Sequence, residues 1–232
     1  MNLLNLLILF FIAIYVMQGF HKGFLISLSN TIGMIISWII GFLFSPLMSQ
    51  AVAKGSFYRF ALSFTNSGEV LKASGNLLVS NLSAPQIDSI VKGAGLPMPV
   101  DTLVAENMKN QVFSAQNITT ASDYMNTTIA NFVINIFSFL VIYLIARVVI
   151  ALLVNAVNYA SPLPVLKKFD SAIGGGIGLL RGFLGMFALF MIVPVILVSM
   201  PAEIFSDMIR NSSMVTFFYE HNFLLGFISG VL

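Results

Sequence analysis

Long apolar runs without a single charge constrain this chain more than any other feature. Residues 3–20 carry no charged side chain, and neither do residues 24–53. A bilayer core about 30 Å thick needs roughly 20 apolar residues per helix. Lipid offers no partners to open backbone groups, so a spanning segment must satisfy its own N–H and C=O groups. The two runs predict membrane helices over 3–20 and 25–47. Two more are predicted over 129–154, charge-free as far as Arg147, and over 172–200, interrupted by Arg181. Composition agrees, since 58% of the residues are hydrophobic and only 9% are charged, against about a quarter charged in soluble domains.

The connections set the expected layout. Gln18-Gly19-Phe20-His21-Lys22-Gly23 is so short that the first two helices must form an antiparallel hairpin. Ser161-Pro162-Leu163-Pro164 ends a helix, because proline lacks a donor and turns the residue before it away from helix. The expectation is therefore an all-α polytopic membrane protein, with four transmembrane helices in two antiparallel hairpins. The first hairpin takes residues 1–48, a polar helical insertion 49–128, the second hairpin 129–200, and an amphipathic interfacial segment 201–232. Pro194 is expected to kink the fourth helix. Within the insertion, helices are predicted over 84–94 and 101–115, the second capped by Asp101. The insertion is too weakly apolar for a core of its own and should lean on the membrane surface or the helix ends. Near the C-terminus, Phe217-Phe218-Tyr219-Glu220-His221-Asn222 mixes aromatic and polar residues, as an interfacial helix does; a fifth span over 214–232 is the alternative. The N-terminus shows neither early positive charge nor a cleavage pattern, so its helix is expected to be retained.

Positive charge sets orientation. Lys22 lies in the first short loop, and Lys167 and Lys168 in the third. Both loops are expected in the cytoplasm, with the termini and residues 49–128 extracytoplasmic. Lys54 and Arg59 point the other way, but belong to a long loop, where charge counts for less.

Several functions are excluded from expectation. Eleven basic and nine acidic residues give a net charge of +2, too little for a nucleic-acid footprint. The chain has no cysteine, and its two histidines, His21 and His221, lack ligand spacing. No metal, cofactor or catalytic group is expected. Gly174-Gly175-Gly176-Ile177-Gly178 lacks the Gly-Lys-Ser/Thr of a phosphate loop and follows no strand.

Two small-residue faces stand out. Ser29, Gly33, Ser37, Gly41 and Ser45 recur every four residues in the second helix. Such ridges let helix backbones approach closely in lipid; the other use of small hydroxyls is to line a pore. The fourth helix opens with Asp170 and carries Gly174, Gly178 and Gly182, again four apart. Each glycine lowers helix propensity by about 1 kcal/mol relative to alanine, so close packing or flexibility must offset it. The glycine face is expected to meet the ridge of the second helix. Arg181 and Arg147 are intramembrane charges without an acidic partner in any span. Either they snorkel to the headgroups or they serve a function. Asp170 is the nearest expected counter-ion for Arg147.

The motifs Lys22-Gly23-Phe24-Leu25 and Leu163-Pro164 followed by Asp170, Gly174, Gly178, Arg181 and Gly182 resemble the colicin V production (CvpA) family of bacterial membrane proteins. The resemblance implies a role in toxin production or export and in envelope homeostasis. Ile26-Ser27 stands where family members often carry a charged pair, and no protease domain of the kind fused to some relatives is present. Two readings follow: a non-enzymatic scaffold whose partners are the lipid bilayer and other membrane proteins or further copies of itself, or a small oligomeric channel or transporter.

Overall fold

The computed structural model describes residues 3–53, 55–63, 65, 67–160, 170–199 and 211–232. The expectations resting on Lys54, on Pro162 and Pro164, and on Lys167 and Lys168 lie outside these residues. The described chain is helical: α1 (Leu3–Val52), α2 (Ser56–Ser63), α3 (Ser67–Leu71), α4 (Ala84–Ala94), α5 (Val100–Lys109), α6 (Ala121–Ala160), α7 (Asp170–Phe190), α8 (Val193–Ser199) and α9 (Ser213–Glu220), with short 3-10 turns between. Among the described residues no strand forms beyond an isolated bridge between Leu78 and Thr120. Three helical stretches are long and apolar enough to cross a membrane: Leu3–Val52, Ala121–Val157 and Asp170–Val198.

α1 is two helical arms. Run straight, 50 residues would extend about 75 Å at 1.5 Å per residue, far beyond one bilayer core. Gly23 interrupts it with φ 76° and ψ 178°. The bend is sharp, because the Ser27 hydroxyl comes within 3.5 Å of the Gly19 carbonyl, eight residues earlier. In a continuous helix those residues would lie about 12 Å apart along the axis. The expected six-residue turn is thus a single residue, and the first arm runs on to Lys22.

The other ends differ from expectation for identifiable reasons. α6 begins at Ala121, eight residues before the predicted start, because Thr120 caps it. The Thr120 hydroxyl accepts from the Asp123 N–H at 3.2 Å and donates to its carboxylate at 2.7 Å, a reciprocal cap of the Ser/Thr-x-x-acid type. α4 runs Ala84–Ala94, opened by a capping box of Ser83 and Gln86. α5 ends at Lys109 rather than Ala115, and its cap is Pro99, with Asp101 inside the first turn. Pro194 breaks the last apolar stretch outright. α7 stops at Phe190 and α8 starts at Val193, since proline offers no N–H to the carbonyl four residues back.

The described residues fall into two compact units. One comprises Met1–Ser45, Phe139–Phe190 and Asp207–Asn222; the other Pro46–Ser138, Met191–Ser206 and Phe223–Leu232. The second unit has a packed interior. Val79, Ile87, Val91, Val104 and Met108 are buried with Tyr124 and Ile129 of α6, so the insertion leans on the start of a long helix. Asn135 ties residues 229 and 231 to α6 by donating to both carbonyls, at 2.8 and 3.0 Å.

The first unit holds the site. Its outward faces are apolar: Phe10, Met17, Leu43, Leu144, Leu152 and Leu180 are all exposed, as lipid-facing side chains are. α9 is eight residues long, so no fifth span forms among the described residues. It docks on α7 instead. The Phe218 ring lies 4.8 Å from that of Phe183 and 5.3 Å from that of Phe187, and Asn222 donates to the Phe187 carbonyl at 2.8 Å.

Candidate functional site

The two motifs read separately in the sequence meet in space. Gly23 adopts a backbone region that is essentially closed to residues with a Cβ. A side chain there would also overlap the Asp170 carboxylate. Breaking a helix leaves carbonyls open at the end of one arm and N–H groups open at the start of the next. The first two residues of α7 answer both. The Phe24 N–H donates to Asp170 Oδ1 at 3.1 Å, and the Ser171 hydroxyl donates to the Phe20 carbonyl at 2.6 Å. Asp170 therefore sits at the positive end of the second arm, where a carboxylate is favoured. The expectation that it serves Arg147 is corrected by this geometry. Lys22 is exposed beside the corner, and Phe24 is half-buried.

The glycine face of α7 lies against the first arm of α1, and not against the second as expected. A Cβ on Gly174 would overlap the Gly19 carbonyl, and one on Gly178 would overlap the Tyr15 carbonyl. At Gly182 the nearest atom would be Ile12 Cα at 3.2 Å. Glycine is required here because backbone meets backbone. Ala, with one extra carbon, would push the helices apart. Gly176 faces open space, so only one side of the run is used for contact.

The ridge of the second arm meets α6. Gly41 lies against Phe139 and Tyr143, and Gly33 against Ile150 with the Arg147 guanidinium beyond it. Two of the ridge's hydroxyls bond within their own helix. Ser29 donates to the Leu25 carbonyl at 2.9 Å and Ser37 to the Gly33 carbonyl at 2.7 Å, which satisfies them within their own helix. Gly33, Ser37 and Gly41 are buried and Ser29 half-buried. The ridge thus offers small volume rather than polar groups.

Arg181 is 2% exposed and does not snorkel. Its Nη2 donates to Gln18 Oε1 at 2.9 Å, and its guanidinium carbon lies 4.7 Å from the centre of the Tyr15 ring. Tyr15, Gln18 and Gly19, all on the first arm, escaped the sequence reading, which placed the last two in the turn. Their signal was present: Tyr15, Gly19 and Gly23 lie four apart, the spacing of one helix face. Among the described residues no group of three or more His, Cys, Asp or Glu could hold a metal ion.

Residues 111–222 match the family model described as Colicin V production protein. The match takes in α6, α7, α8 and α9, with Asp170 and the glycine face; Gly23 lies outside it. No curated protein and no solved structure matches the chain.

Proposed function

We propose that this chain, which carries a Colicin V production domain over residues 111–222, is a multi-pass scaffold of the bacterial cell membrane. It has no reaction of its own and serves toxin production or export and the upkeep of the envelope. The two arms of α1, α6 and α7 with α8 act as four spans in two hairpins. Lys22, Lys167 and Lys168 hold the short connections in the cytoplasm, with residues 49–128 and both termini outside. Further copies or other membrane proteins are its partners, and the lipid bilayer is its solvent.

One observation carries this reading. The residues shared with the family are spent on one another: Asp170 caps the second arm, and the glycines seat α7 on the first. A site built this way favours a fixed helical platform over a reactive centre. Extraction by alkaline carbonate tests the membrane assignment, since a peripheral protein would be released. Single cysteines introduced at positions 22 and 88, in a chain with none of its own, test orientation by their labelling from opposite sides. Flux of small solutes from proteoliposomes tests the scaffold against the second reading, a small oligomeric channel, which the buried Arg181 favours. Arg181-dependent flux would replace the scaffold with the channel.

A further inference from the structure

We propose that Arg147 and Arg181, flanked by Tyr15, Tyr143 and Gln18, form a binding site for a phosphate oxyanion inside the helical unit. Two buried guanidinium nitrogens, Nε of Arg181 and Nη1 of Arg147, have no hydrogen-bond partner among the described residues. Arginine does not deprotonate in proteins, so it cannot escape burial by losing its charge. An isolated buried charge is strongly unfavourable unless a counter-charge meets it.

The two cations share one neighbourhood. Arg181 reaches Tyr15 and Gln18 of the first arm, and Arg147 lies beside Gly33 of the second arm, which the bend at Gly23 folds back along the first. Tyr143 lies one turn before Arg147 on the same face of α6. The first arm of α1 contributes Tyr15 and Gln18, α6 contributes Tyr143 and Arg147, and α7 contributes Arg181, all within one compact unit. Gly33 on the second arm closes the group, since a Cβ there would lie 3.7 Å from Arg147 Nη1. Two like charges in one unit repel, and among its described residues no carboxylate offsets them. Asp170 is engaged by the Phe24 N–H, and Glu220, the other acid described in this unit, is exposed at the end of α9.

The chemistry selects the ligand. Arginine's planar fork matches the oxygen spacing of phosphate, and a doubly charged phosphate would neutralise both cations at once. Gln18 and the tyrosine hydroxyls add neutral groups that hydrogen-bond oxygen or hydroxyl. The phosphate can be that of an anionic lipid headgroup or of a soluble compound. The site is one of binding, independent of whether the protein scaffolds or conducts.

The test uses the full chain purified in a neutral, phosphate-free detergent. Inorganic phosphate is titrated against thermal stability with chloride as control, and retention of added phosphatidylglycerol is followed by native mass spectrometry. At least one probe is expected to bind, with affinity lowered tenfold or more by Arg181→Gln and by Arg147→Gln. Arg181→Lys, which keeps the charge and loses the fork, should fall between. Phosphate binding alone identifies a soluble ligand, and phosphatidylglycerol alone a lipid. If Arg181→Gln fails to fold, Arg147→Gln decides, since it leaves the Arg181–Gln18 bond intact. Absence of binding by both probes, or binding indifferent to either folded Gln variant, overturns the site.

Discussion

Placing the same substitution two residues apart on α7 should change stability in opposite directions. At Gly176 an added methyl meets nothing within 4 Å. Alanine there gains helix propensity, worth up to about 1 kcal/mol. At Gly178 the methyl would overlap the Tyr15 carbonyl oxygen, with the carbonyl carbon at 3.0 Å and Val16 Cα at 3.1 Å. All of these are backbone atoms, so no rotamer change relieves the overlap, and the two helices must separate. Overpacking of this kind costs about 1–3 kcal/mol, from which the propensity gain must be subtracted. Gly178→Ala should therefore destabilise by up to about 2 kcal/mol, while Gly176→Ala is neutral or stabilising. Reversible titration with SDS in mixed micelles, followed by far-UV circular dichroism, measures both. Equal effects at the two positions would refute the claim that one glycine face carries the helix contact.

Three further perturbations probe the corner and the caps. Gly23→Ala should cost about 1–3 kcal/mol from its backbone region alone, and more because of the carboxylate; in an Asp170→Ala background the excess should vanish, and a strictly additive double-mutant cycle would count against the contact. Asn222→Leu removes the bond to the Phe187 carbonyl and should lower stability by about 0.5–1.5 kcal/mol, with faster proteolysis around α9 as the second readout; an unchanged cleavage pattern would show that the bond does not hold α9. Thr120→Ala removes the cap of α6 and should cost about 0.5–2 kcal/mol, read by earlier hydrogen exchange at residues 121–124, and unaltered exchange there would argue against the cap.

Legibility in the sequence followed the physics of each feature. Apolar runs announced where helices lie, because burial in lipid depends on composition over some 20 residues and not on any single neighbour. α4 forms over the expected span, 84–94, and the capping box of Ser83 and Gln86 that opens it is a local feature. Local signals were also missed: Thr120 with Asp123 spells the same kind of box and went unread behind the stronger apolar signal of 129–154. What no local signal carries is the identity of a partner. Small residues at spacing four say that another backbone comes close, and both the second arm and α7 say so in the same terms. Pairing them with each other was reasonable, and the structure pairs each with a different helix because the sharp bend at Gly23 sets the first arm beside Gly174. Asp170 was legible as a special residue but not as a cap, because the N–H that it holds is 146 positions away in sequence.

A corner made of one residue leaves no slack. The chain cannot be lengthened at position 23 without parting the carboxylate from the N–H that it holds, so peptide tags inserted there should be tolerated far less well than those placed in residues 49–128. Among the described residues, the corner presents fixed helix termini and the exposed side chains of His21 and Lys22, a small rigid surface that is coupled to the position of α7 through Asp170.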